Sequence, residues 1–218
     1  GVQTCALPIC GLSSMAKLKV HPIFLMMLLL WALSGNIAQY FLVLVSLLWH
    51  EVGHLVMAKL FGVKVKRITM LPFGARIEFV NGQAISYTSL IWIAAGGPIF
   101  TLLAYSVNHY IPSIFREEFI MIQLGLLFIN LLPIYPLDGG QIVCNSLLKI
   151  TPKKKIYERY ISTSFYFITI IVVVTLLLLP QSIFLAVLSL LLWSEVIGEW
   201  RFRKYRSAFE KVVMNRLT

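Results

Sequence analysis

Several apolar runs in this chain approach the ~20 residues that a helix needs to cross ~30 Å of hydrocarbon. That length narrows the fold to an all-α polytopic membrane protein before any single residue is considered. Composition agrees, since 13% of the 218 residues are charged, where a soluble domain carries about a quarter. Six spans are predicted, near residues 20–34, 37–60, 89–107, 119–134, 160–179 and 183–196. The first is short before Ser34-Gly35-Asn36, and with the second it could instead form one long broken segment.

Charge orients these spans. Lys17 and Lys19 precede the first, and Lys59, Lys64, Lys66, Arg67 and Arg76 follow the second. Lys149, Lys153, Lys154, Lys155 and Arg159 follow the fourth, and Arg201, Arg203, Lys204 and Arg206 follow the sixth. The opposite side receives Ser34-Gly35-Asn36, Arg116-Glu117-Glu118 and Pro180-Gln181-Ser182, with Arg116 its one basic residue. By the positive-inside rule both termini are cytoplasmic. The formal charge of +10 is then inner-leaflet anchoring to the lipid bilayer, and calls for no nucleic-acid partner.

His50-Glu51-Val52-Gly53-His54 interrupts the second apolar run. On a helix His50 and His54 share a face and can grip one Zn2+ ion, with Glu51 beside them to carry protons. Histidines and a carboxylate at membrane depth are costly and point to function. A catalytic zinc site takes three protein ligands and leaves one position open. His21 and His109 fall near the ends of spans, so attention passes to carboxylates, and the chain has a single aspartate, Asp138. It follows Asn130-Leu131-Leu132-Pro133-Ile134-Tyr135-Pro136-Leu137, where two prolines interrupt the fourth span and Gly139-Gly140 loosens it further. Counted at ~1.5 Å per residue, His54, Asp138 and Gly96-Gly97-Pro98 of the third span reach a similar depth near the cytoplasmic face. A transporter-like cation or proton relay through the same four polar residues is the alternative chemistry, disfavoured because the two halves carry no corresponding broken helices.

These motifs together resemble the site-2 protease family of intramembrane metalloproteases. The resemblance rests on His50-Glu51-Val52-Gly53-His54, Gly96-Gly97-Pro98 read as a turn, and the stretch from Asn130 to Leu137-Asp138-Gly139. It implies a metalloendopeptidase holding one Zn2+ through His50, His54 and Asp138, with Glu51 catalytic. Asn130 and Pro133 are implied as substrate or transition-state contacts, and Gly97 is counted with them. Six spans, His21-Pro22 and a basic arm after the last span resemble the sporulation branch. That branch implies as substrate a sigma-K-type transcription-factor precursor at the outer forespore membrane of a bacterium, with membrane-protein inhibitors as further partners. It also implies a nucleotide-sensing CBS domain beyond residue 218, through which ATP would act. Branches that cut anti-sigma factors or signal-peptide remnants are the nearest alternative, although the extracytoplasmic PDZ insertion of the anti-sigma branch is missing.

Three regions complete the expected organisation. Residues 1–14 resemble the translation of a sequencing adapter ahead of Met15, residues 15–200 form the protease domain, and residues 201–218 form a basic cytoplasmic arm, truncated before the CBS domain. Cys5 and Cys10 fall in the first region, leaving Cys144 and neither a disulfide framework nor a cysteine zinc site. Val63-Lys64-Val65-Lys66 and Arg76-Ile77-Glu78-Phe79 alternate polar with apolar residues around Leu71-Pro72-Phe73-Gly74, which predicts a membrane-associated β-hairpin. Its free edge would suit an extended substrate segment.

Overall fold

The computed structural model describes residues 17–20, 37–71, 74–80, 85–108, 115–151, 154–179, 185–198 and 200–201. In chain order these form β1 (Lys17–Val20), α1 (Ile37–Leu60), β2 (Val65–Leu71), β3 (Gly74–Phe79) and α2 (Tyr87–Asn108). They continue with α3 (Arg116–Leu131), α4 (Asp138–Ile150), α5 (Lys154–Leu177) and α6 (Leu185–Gly198). Residues 38–60 of α1, all of α2 and residues 155–177 of α5 are long and apolar enough to cross a membrane, and α6 is a shorter apolar helix. The predicted first span lies outside the described residues apart from Val20, which closes β1.

The predicted hairpin is β2 paired antiparallel with β3, and both strands are longer than their alternation suggests. Residues 72 and 73 of its turn lie outside the described residues. A third strand was not expected: β1 pairs with β2 in parallel, Lys17 opposite Arg67, so β2 is central and β3 is an edge. Lys17-Leu18-Lys19-Val20 is too short to be read as a strand alone, and only its non-local partner makes it one.

The passage from α1 into the sheet has a local cause. Val63 N–H donates to the Ala58 carbonyl at 2.8 Å, and Gly62 N–H to the Lys59 carbonyl at 3.1 Å. Those two bonds are the Schellman pattern, which needs a left-handed residue after the helix, and Gly62 supplies it with φ +67°. Val63 then packs with Ala58 and Ile93, and Met57, Val65, Phe79 and Ile85 close over them. One apolar cluster therefore seats the sheet against the ends of α1 and α2.

α2 runs unbroken through Gly96-Gly97-Pro98, which the sequence suggests as a turn. A proline inside a helix is tolerated in a membrane bundle. The break falls instead between α3 and α4, across residues 132–137. There Ile134 and Leu137 pack against Ile168 of α5 and against Leu192 and Val196 of α6.

Gly62→Ala should lower unfolding stability by about 1–2 kcal/mol, since a Cβ there meets open space and only the left-handed backbone resists it. Gly125→Ala in α3 also meets open space but has no such strain, and should not destabilise. Detergent-titrated unfolding of the two variants beside wild type checks the pair.

Candidate metal centre

The site forms where α1 and α2 cross. A Cβ on Gly53 would run into the Gly96 carbonyl, and one on Gly96 into the Gly53 carbonyl. Only glycine at both positions lets the two backbones touch. His50 and His54 lie one turn apart on α1 around this crossing, and both are buried, as is Glu51.

Each imidazole is held at its Nδ1 by α2. His54 Nδ1 lies 2.7 Å from the Ile93 carbonyl. A carbonyl only accepts, so Nδ1 carries a hydrogen, and the neutral ring keeps its lone pair on Nε2. The Gly97 amide is also 3.3 Å from this nitrogen, but the shorter contact decides the tautomer. His50 Nδ1 lies 2.8 Å from Thr101 Oγ1, which in turn is 3.1 Å from the Gly97 carbonyl. One turn before His50, buried Gln123 of α3 donates to Ser46 at 2.8 Å and ties α3 to α1.

Asp138 arrives from the other direction, as the first residue of α4, where a helix N-terminus favours negative charge. The chain can turn into α4 because Gly139 and Gly140 have no Cβ. A Cβ at Gly139 would strike the Leu131 and Leu132 carbonyls, and one at Gly140 would strike the backbone of Ile134 and Tyr135. α5 and α4 itself receive freed polar groups of the break. Tyr160 Oη donates to the Pro133 carbonyl at 2.9 Å, Tyr135 N–H donates to Ser164 Oγ at 3.2 Å, and Gln141 Nε2 of α4 donates to the Pro136 carbonyl at 2.9 Å.

Three atoms converge as a result. His50 Nε2 is 3.0 Å from Asp138 Oδ2, His54 Nε2 is 3.4 Å from it, and the two Nε2 atoms are 3.2 Å apart. Zinc at 2.0–2.1 Å from tetrahedral ligands sets ligand–ligand edges of roughly 3.3 Å. This triangle has that size. Glu51 belongs to the same cluster more loosely, within 4.8 Å of the imidazoles, as suits a proton carrier beside the ion. Gly97 completes the fit, because a Cβ there would touch Nε2 of both histidines and fill the space in front of them. The donor set and the space both suit one zinc ion.

The sequence-predicted residues are thus partly gathered. His50, Glu51, His54, Asp138 and Gly97 meet. Asn130 is buried, and its side-chain amide donates to the Leu126 carbonyl of its own helix at 3.0 Å. Pro133 is exposed and turned towards Tyr160 through its carbonyl. Thr101 and the Ile93 carbonyl were not foreseen. Thr101 stands one turn after Gly97, a spacing that places it on the same face as a glycine already singled out.

The model of the family described as Peptidase family M50 matches residues 38–115 and 106–176. Stage IV sporulation protein FB of Bacillus subtilis is 30% identical over 198 residues, covering 87% of this chain and 68% of that protein. A zinc metalloprotease of Methanocaldococcus jannaschii is 30% identical over 117 residues, covering 48% of this chain and 32% of that protein. The solved structure of a site-2 protease from Methanocaldococcus jannaschii superposes with a TM-score of 0.65 at 25% identity, over 84% of this chain and 90% of that one.

Gly97→Ala should place a methyl group against both imidazole Nε2 atoms and reduce zinc affinity at least ~10-fold. Metal analysis of the purified variant after dialysis against a weak chelator reads the loss.

Proposed function

The chain belongs to peptidase family M50 and is a zinc metalloprotease of site-2 type, and on that premise we propose that it cuts a membrane-associated protein within the bilayer near its cytoplasmic face. The observation that carries this reading is the meeting of His50, Glu51 and His54 of the apolar helix α1 with Asp138 at the start of α4. In it, His50, His54 and Asp138 hold the ion. When bound, zinc supplies Lewis acidity that brings the pKa of water to about 7 and polarises the scissile carbonyl. Glu51 removes the proton from the attacking water and delivers it to the leaving amine, serving as general base and then as general acid. Asn130, Pro133 and Gly97 contribute substrate or transition-state contacts, Gly97 through its backbone and its lack of a side chain. The edge strand β3 takes up the substrate as an extended segment, which exposes a peptide bond that a helix would shield.

The chain crosses a bacterial cell membrane six times, with both termini cytoplasmic. Its basic loops support that orientation. Likeness to the Bacillus subtilis sporulation protein supports a role in sporulation. We take the substrate to be a sigma-K-type precursor at the outer forespore membrane, with membrane-protein inhibitors restraining cleavage until a signal arrives.

Co-expression with that precursor tests the proposal. Glu51→Gln should keep its zinc and lose cleavage by ~10²–10⁴-fold, because it removes the proton carrier and spares the ligands. Cleavage persisting in this variant would end the assignment. Asp138→Asn should instead release zinc, weakening it beyond the ~100-fold that bounds outer-shell losses. Wild-type metal content in that variant would strike Asp138 from the ligand set.

A further inference from the structure

Thr101 is wholly buried, at 0% exposure, with His50 Nδ1 at 2.8 Å and the Gly97 carbonyl at 3.1 Å from its hydroxyl oxygen. A hydroxyl has one proton to give and two lone pairs to offer. Two proton arrangements are open to this hydroxyl, and only the second makes both contacts hydrogen bonds. In the first, Thr101 donates to Nδ1, so neutral His50 carries its hydrogen on Nε2. That hydrogen points at Asp138 Oδ2, 3.0 Å away, and stands where the ion would bind. In the second, Thr101 gives its proton to the Gly97 carbonyl and accepts from Nδ1–H, leaving Nε2 with a bare lone pair.

We propose that Thr101 is a positioning residue for the metal ligand His50, holding the imidazole in the orientation and tautomer whose Nε2 faces the ion. The inference rests on the reading of His50 as a ligand and deepens it. The two histidines are served differently. His54 faces a carbonyl, which can only accept, so one tautomer is available to it. His50 faces a hydroxyl whose proton can turn towards Gly97 when the ring exchanges its Nε2 hydrogen for one on Nδ1 and so frees Nε2 for the ion. Metal-bound histidines generally need such a partner on the second ring nitrogen. The Gly97 carbonyl makes the turn possible, so this one residue clears space for the ion and receives the proton that the ion's arrival redirects.

A purely structural threonine would make the same bond to the carbonyl four residues back, and that reading is separable. Thr101→Ser keeps the hydroxyl, whereas Thr101→Val keeps the shape and Thr101→Ala only removes atoms. The full chain is purified in detergent, and its zinc dissociation constant is read by competition with a chromophoric chelator. Thermal unfolding of the zinc-free proteins shows which variants are folded, and the comparison uses Val or Ala accordingly. The hydroxyl-free variant should bind zinc about 10–100-fold more weakly, with Thr101→Ser within about threefold of wild type. Wild-type affinity in the folded hydroxyl-free variant overturns the proposal, as does a Thr101→Ser loss equal to it. A wild-type chain that binds no zinc would remove the ligand assignment itself and this inference with it, an outcome distinct from equal binding across the series.

Discussion

The contact of α1 and α2 at Gly53 and Gly96 is the constraint from which the centre follows. With a side chain at either position the helices would stand further apart, and the Ile93 carbonyl and Thr101 hydroxyl would no longer reach the two Nδ1 atoms. Backbone proximity is what converts two histidines on one helix into two oriented lone pairs. Trp49 strengthens the same crossing, its indole N–H donating to the Phe100 carbonyl at 2.9 Å. The valence of the site is thus set by glycines that carry no chemistry of their own.

Delivering a carboxylate to that depth requires the chain to leave helical geometry, which in an apolar bundle exposes backbone polar groups at a cost of several kcal/mol each. The stretch 132–137 meets this demand through neighbours. Tyr160 and Ser164 of α5 and Gln141 of α4 take three of the freed groups, while Ile134 and Leu137 drive the segment into the apolar cluster with α5 and α6. The polar and apolar halves of the break therefore converge on α5, which contributes to the site without touching it.

Much of this was legible in the residues. Four-residue spacing puts His50 and His54 on one face, the solitary aspartate singles out Asp138, and Pro133 and Pro136 mark where the helix stops. The lengths of the apolar runs also located α1, α2, α3, α5 and α6 to within several residues, and the alternating residues located the hairpin. What stayed hidden depends on a partner distant in sequence. β1 is strand only because β2 lies beside it, and the Ile93 carbonyl leaves no trace in residue type. Thr101 reads as any small polar residue in a packed helix until the rotation of α2 against α1 is known. Gly96-Gly97-Pro98 suggested a turn by local chemistry, but packing against α1 carries the helix straight through it.

The division of the polar atoms between α1 and α4 also has a temporal side. His50 and Asp138 are 88 positions apart, so a ribosome must add all of the intervening chain before the third acceptor exists. Until α4 has been synthesised and folded back, the nascent product holds two imidazoles and a glutamate but no complete coordination triangle. On the proposed ligand set, hydrolytic competence is accordingly withheld until that segment is in place.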